Sequence, residues 1–175
     1  ALDLEELLRV AGTLDEGVTY RFLHDRVQQA AYSRLDDDAR GATHLRIARI
    51  LRESLDEERS AERLFDAANQ YARCAGRIVD PAEALAVADT CLAAAQRAKA
   101  ASAWEGAHRY LEVAIGLLPA DAFERHHAFA MDLHVEAVEA ALAATDLARA
   151  DALARAALAR ARSPIDQARI YEKRA

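Results

Sequence analysis

The most unusual polar pair in the sequence is His24-Asp25, where an alternating apolar and polar stretch gives way to a helical pattern. Val18, Tyr20 and Phe22 alternate with polar residues, which predicts a short strand. At such a junction the imidazole of His24 can point away from the sheet edge while Asp25 caps the following helix. Two interpretations stay open from the residues: a helix cap, or a sensor of a bound group.

The second candidate group consists of four histidines, a residue type that commonly binds metal ions: His108, His126, His127 and His134. His127 and His134 are seven positions apart, so they share a helix face about 10 Å apart along the axis. That separation is too large for both to bind one metal ion. Adjacent His126 and His127 point in different directions, and the pattern favours ordinary helix histidines over a metal site.

Other catalytic signatures are missing from the sequence. It has no Gly-x-x-x-x-Gly-Lys-Ser/Thr loop and no Gly-x-Gly-x-x-Gly, and no Ser/His/Asp or Cys/His set stands out. Since no element cradles phosphates, we expect no phosphoryl transfer from this chain alone. We expect the chain by itself not to be an enzyme. Cys74 and Cys91 lie within predicted helices without a metal-type cluster, which favours reduced, buried thiols.

The composition predicts an all-α fold. Of 175 residues, 53 % are apolar, many of them alanine, and only 6 % are aromatic, with 6 Gly and 3 Pro. The net charge is −6 and acidic and basic residues interleave, which argues against nucleic-acid binding. The sequence has no run of about 18 apolar residues, so no membrane span is predicted. No signal peptide is visible, and we expect a cytoplasmic protein.

The apolar spacing predicts a chain of helices joined by short connections, so that neighbours run antiparallel. After helices at about 24–35 and 39–55, the predicted ranges are 61–78, 81–99, 103–118, 122–144, 147–162 and 164–175. On the second helix the residues expected to be buried are His44, Ile47, Ala48, Leu51 and Leu55.

Capping signals punctuate these helices. Asp36–Asp38 is expected to cap the helix at 39–55 rather than to bind a cation. Four further segments place a capping residue three positions before an acid, and they begin at Asp80, Ser102, Asp121 and Ser163. Pro81 and Pro164 stand at first helical positions, and Pro119 ends the helix before it.

Small residues recur at the predicted helix contacts: Ala95, Ala107 and Ala114, then Val138, Ala150 and Ala157. Together with Pro119 they match the tetratricopeptide (TPR) pattern, although Ala107 and Ala150 are 43 residues apart rather than about 34. The pattern predicts a TPR-like superhelical array of antiparallel helix pairs. Such arrays bind partners on a concave face, where Trp104 and Tyr110 are candidates; the alternative for both is core packing.

The stretch from Tyr20 to Tyr32 and the following Arg40-x-x-x-His44-Leu-x-Ile47-x-x-x-Leu51 helix resemble one segment of large bacterial signalling proteins. In these STAND-type (AAA-like) ATPases, the segment follows the ATPase module. The ATPases are fused to a serine/threonine kinase, a sensor histidine kinase or a LuxR-type DNA-binding domain. The run from Ala95 to Leu111 is similar to the helical array of the same family, with Trp104 where tyrosine is usual.

The resemblance implies that residues 1–36 end a winged-helix domain, with the short β-element near 18–22, whose front half lies upstream. Residues 37–175 would form the TPR-like domain. By analogy with related NTPase switches, His24 would sense the nucleotide β-phosphate and Asp25 would orient it. ATP or ADP would be the cofactor of the parent protein, while this chain binds none by itself.

The sequence therefore predicts a non-catalytic regulatory or protein-interaction segment of a signalling ATPase. Its partner would be a separate protein, the upstream NTPase domain or a second copy of the chain. The alternative is a standalone TPR-type scaffold or peptide-binding adaptor. We expect neither nucleic acid nor membrane among the partners.

Overall fold

The computed structural model describes residues 30, 32–53, 55 and 61–174. These residues are helical and contain no strand, which confirms the all-α prediction for this part of the chain. The predicted strand at 18–22 and the winged-helix portion around it lie outside the described residues.

The helices, in chain order, are α1 (Asp37–Glu53), α2 (Ala61–Ala72), α3 (Pro81–Ala100), α4 (Trp104–Leu117), α5 (Ala122–Arg125), α6 (His127–Ala143), α7 (Leu147–Leu158) and α8 (Pro164–Arg174). A 3₁₀ segment, Ala75–Arg77, lies between α2 and α3. The chain divides into two compact units, Ala1–Arg40 and Gly41–Ala175. The predicted domain boundary at residues 36 and 37 stays a prediction.

The largest differences between predicted and observed helices occur at 61–78 and 122–144, while the helix predicted at 147–162 ends at Leu158. The helix expected at 61–78 ends at Ala72 because the following amides bond three residues back, with Arg77 N–H donating to the Cys74 carbonyl, and Gly76 is a weak helix former. The helix expected at 122–144 is broken at His126, whose φ of −131° and ψ of 44° are not helical.

Two of the four predicted capping signals are confirmed. The Asp80 carboxylate accepts hydrogen bonds from the N–H groups of Ala82 (3.3 Å) and Glu83 (3.2 Å) at the start of α3. At the start of α8, Ser163 Oγ accepts from Asp166 N–H and Asp166 Oδ2 accepts from Ser163 N–H, both at 3.1 Å. This reciprocal pair is a capping box.

The other two signals were misassigned. Asp121 precedes α5 but its side chain makes no capping bond, and the residue at the start of α4 is Ala103 rather than Ser102. Ser102 instead adopts a left-handed conformation with φ of 58°. The short connection explains the difference, because Ser102 is already used to end α3.

The turn after α3 is a Schellman motif, a common way to satisfy the last carbonyls of a helix. Ala103 N–H donates to the Ala98 carbonyl (2.8 Å), and Ser102 N–H donates to the Lys99 carbonyl (2.8 Å).

The turn after α6 repeats this motif 43 residues later. Asp146 N–H donates to the Ala141 carbonyl (2.9 Å), Thr145 N–H donates to the Leu142 carbonyl (3.0 Å), and Thr145 has a φ of 63°. Every donor and acceptor has its counterpart in the first turn at the same offset, so the two turns are structural copies.

The buried positions repeat with the same offset. The buried pairs include Val87 and Ala130, Ala88 and Met131, Cys91 and His134, Ala95 and Val138, Ala107 and Ala150, Tyr110 and Leu153, Leu111 and Ala154, Ala114 and Ala157. The small contact residues predicted from the sequence are thus confirmed as buried. The hairpin α3–α4 and the later α6–α7 hairpin are two copies of one helix pair.

In α1 the prediction of a buried Ile47 is wrong. His44 and Ala48 are buried as expected, and Leu51 and Leu55 are partly buried, whereas the side chain of Ile47 is 39 % exposed. The buried stripe runs through His44, whose Nδ1 lies 2.6 Å from Gln70 Oε1 in α2. Ile47 falls beside that stripe rather than on it.

Ion pairs connect like helices of neighbouring pairs. The pairs are Arg49–Glu83 (α1 to α3), Lys99 with Glu136 and Glu139 (α3 to α6), Glu112–Arg149 (α4 to α7) and Glu139–Lys173 (α6 to α8). The Arg149 guanidinium binds both oxygens of Glu112, at 2.8 and 2.7 Å. This two-point contact fixes the relative orientation of the two side chains and is stronger than a single hydrogen bond.

The strained turn gives a test of this fold. Thr145→Gly should raise the free energy of unfolding by about 1 kcal/mol, because the left-handed conformation is costly for a β-branched residue and free for glycine. Urea titration measures the change. The same exchange inside α3, Thr90→Gly, should lower stability by about 1 kcal/mol or more. Destabilisation by both variants would contradict the turn geometry.

Candidate functional site

The structure separates the residues that the sequence singled out. His24 and Asp25 lie outside the described residues. Trp104 is half-buried at the first position of α4, and Tyr110 lies in the core with 4 % of its surface exposed.

Tyr110 connects α4 to α2. Its ring stacks on Phe65 with centroids 6.0 Å apart, and its hydroxyl donates to Asn69 Oδ1 at 3.0 Å. The Arg109 guanidinium lies 5.2 Å from the ring centroid and donates to the same oxygen at 3.1 Å. This geometry favours the core-packing alternative; a role for Tyr110 in partner binding stays a prediction.

The packing role of Tyr110 is testable without removing its ring. Tyr110→Phe should lower the free energy of unfolding by about 1 kcal/mol, since it removes one hydrogen bond and leaves Asn69 with one donor fewer. Denaturant titration reports the loss. Tyr171→Phe, at a position 56 % exposed in α8, is the matched control and should be neutral. Equal effects would argue against the Asn69 bond.

Trp104 borders a cavity of about 550 Å³ between the two copied turns. The first wall is Ser102 to Gly106, and the second is Ala143 to Thr145. The repeat creates this juxtaposition, because equivalent turns of successive helix pairs lie side by side. Among the lining residues only Glu105 is ionisable, so the cavity suits apolar contact better than binding of an anion.

Leu147 is the counterpart of Trp104 in the second hairpin and the first residue of α7. Its side chain is 67 % exposed. We use the name turn surface for the cavity-lining residues Trp104, Ala103, Ala143 and Ala144 together with Leu147 at the start of α7. Sequence reasoning missed Leu147, although the 43-residue offset from Trp104 was a signal that could have found it.

The histidines occur in separate packing roles. His127 Nε2 lies 3.1 Å from Asp166 Oδ2, and His134 Nδ1 donates to the Ala130 carbonyl at 2.8 Å. The His127 hydrogen bond, followed by the Arg162 N–H, holds the pKa of Asp166 below its usual value. Within the described ranges, no group of three or more His, Cys, Asp or Glu side chains could hold a metal ion.

The two thiols are free and buried, as predicted. Burial raises the pKa of Cys91 to about 12 and also raises the pKa of Cys74, which makes both poor nucleophiles at neutral pH. Cys74 lies in the turn after α2 rather than in a helix, and its Sγ lies 3.3 Å from the Gln70 carbonyl oxygen.

His134 is a buried titratable group whose protonation is coupled to folding. Burial is the main cause that lowers the pKa of its imidazole, opposed by the Ala130 carbonyl. Below the unfolded pKa of about 6.5, the unfolded chain therefore binds a proton that the native ring resists. Stability should fall as pH falls through that value.

This pH dependence can be assigned to His134 by comparison of unfolding free energies at about pH 7.5 and pH 5.5. His134→Phe should reduce the loss of stability on acidification. Met131→Leu, a buried change in the same helix without a titrating group, should keep the wild-type loss. If the His134→Phe variant shows the same loss of stability on acidification as the wild type, the native His134 ring is not held neutral.

Comparison of the chain with family models, curated proteins and solved structures found no match. None of the described helices is long and apolar enough to cross a membrane.

Proposed function

We propose that residues 41–175 act as a non-catalytic protein-interaction module of TPR-like type within a multidomain bacterial signalling protein. The observation that carries the proposal is the copied helix pair, which places Trp104 beside a cavity formed by two equivalent turns. Rigid elements on both sides hold this surface in one geometry, and that lowers the entropic cost of binding a partner.

Three features of the helix pairs support the proposed TPR-like type. Connections between α3 and α4 and between α6 and α7 are short, the contact positions are small residues, and like helices are joined by ion pairs such as Lys99–Glu136 (2.5 Å). The 43-residue period exceeds the usual value of about 34 because α3 is long and α5 is inserted before α6.

The turn surface supplies the anchors that protein interfaces use. Tryptophan is enriched among residues whose truncation costs about 2 kcal/mol or more of binding energy. Trp104 is half-buried at the cavity, and Leu147, its counterpart in the second hairpin, offers a second exposed apolar side chain. We therefore assign the partner contact to Trp104 and Leu147 and leave Tyr110 in the core.

The signalling context comes from the resemblance to STAND-type ATPases. In that setting the module would couple the nucleotide switch, sensed through His24 and oriented by Asp25, to a partner. The occupant of the turn surface would be the upstream NTPase part of the same polypeptide or a separate cytoplasmic protein. ATP or ADP would bind in the parent protein and not in this module.

Site-specific cross-linking tests the proposal. A photoreactive amino acid at Leu147 in the full gene product should give a defined adduct in cells, and Trp104→Ala should reduce its yield several-fold. The same probe at Val79, which is 89 % exposed, is the control for nonspecific reaction. A cross-link within the same polypeptide supports coupling of the module to the NTPase part. A cross-link to a second protein supports an adaptor role.

Identical adducts from Leu147 and Val79 would contradict the proposal. So would an unchanged adduct in the Trp104→Ala protein. Because Trp104 is partly packed, thermal unfolding of that variant must first show that α4 remains folded.

A further inference from the structure

A second cavity, of about 420 Å³, lies between the end of α4, the connection to α5, and helices α6 and α7. Its apolar wall includes Ile115, Leu118 and Phe123, and its polar wall includes His134 and Arg160. The volume is within the range of about 300–1,000 Å³ typical of small-molecule sites. It is separate from the cavity at Trp104.

His134 lines this cavity and carries a hydrogen-bond acceptor. Its Nδ1 bonds a carbonyl oxygen, so this nitrogen carries the proton and Nε2 of the neutral ring is an acceptor. The residue is 6 % exposed and lines the cavity, and no described residue hydrogen-bonds to Nε2. A ligand N–H or O–H in the cavity would donate to this nitrogen.

Arg160 brings a positive charge to the same cavity. Its guanidinium lies 5.4 Å from the centroid of the Phe123 ring, which orients it by a cation–π contact. The carboxylate nearest to it among the described residues belongs to Glu124, at 3.9 Å and on the exposed surface. An ion pair of this kind contributes little, so an anionic ligand can replace it.

We propose that this cavity binds a small amphipathic acid that carries an apolar ring. The carboxylate would pair with Arg160, the apolar ring would pack against Ile115, Leu118 and Phe123, and a hydrogen-bond donor on the ring would reach His134 Nε2. The site requires no protein partner, so it stands or fails independently of the turn surface.

A matched series of probes tests each part of this recognition by isothermal titration calorimetry with the whole chain. Indole-3-propionate carries the ring, the donor and the carboxylate. It should bind about tenfold more tightly than 3-phenylpropionate, which lacks the N–H, and more tightly than 3-(indol-3-yl)propanol, which lacks the charge. Absence of saturable binding by indole-3-propionate at millimolar concentration would overturn the proposal.

Variants locate the site. Arg160→Gln should weaken indole-3-propionate about tenfold and leave the propanol unchanged. Arg155→Gln, an exposed change in the last turn of α7, should affect neither. His134→Phe should remove the preference for the indole acid over the phenyl acid. Equal effects of Arg160→Gln and Arg155→Gln would place binding elsewhere. The ligand series still decides the proposal if His134→Phe does not fold.

Discussion

The close approach of helices across alanine is the constraint on which the helical unit depends. Ala95, Ala107 and Ala114, and in the second copy Ala150 and Ala157, are buried where helices meet. Alanine at a crossing lets two helix axes approach to about 8 Å, and larger residues there would separate them. Each alanine buries little area, so stability comes from many correct small contacts, and inter-helix ion pairs fix the register along the seams.

The two candidate sites arise from the repeat and from a break in it. Because the helix pairs are copies, their Schellman turns lie side by side, and Trp104 borders the gap between them. The copies differ where the helix breaks at His126. The short α5 that precedes the break places the Phe123 ring 5.0 Å from the His134 ring, and the second cavity opens beside this contact. One site thus comes from the regularity of the array and the other from its interruption.

The sequence predicted the helices, the proline punctuation and the small contact residues because these depend on local spacing and local backbone chemistry. Pro81 marks the start of α3 whatever packs on it. The errors arose where tertiary context decides. Ser102 could not be recognised as the end of α3 until the length of the connection was known, and Ile47 lies beside a stripe whose direction is set by the contact with α2. Neither cavity was predicted, because each joins residues from distant helices, and the role of His24 lies outside the described residues.

The most direct test of the central claim replaces alanine by leucine at buried, repeated positions and at an exposed position, and compares the free energies of unfolding. If the seams require small residues, Ala107→Leu and Ala150→Leu should each lower the free energy of unfolding by about 1–3 kcal/mol in urea titrations. Ala148→Leu, on the exposed side of α7, should leave it nearly unchanged. Equal tolerance of leucine at all three positions would contradict close packing across alanine and, with it, the copied helix pair.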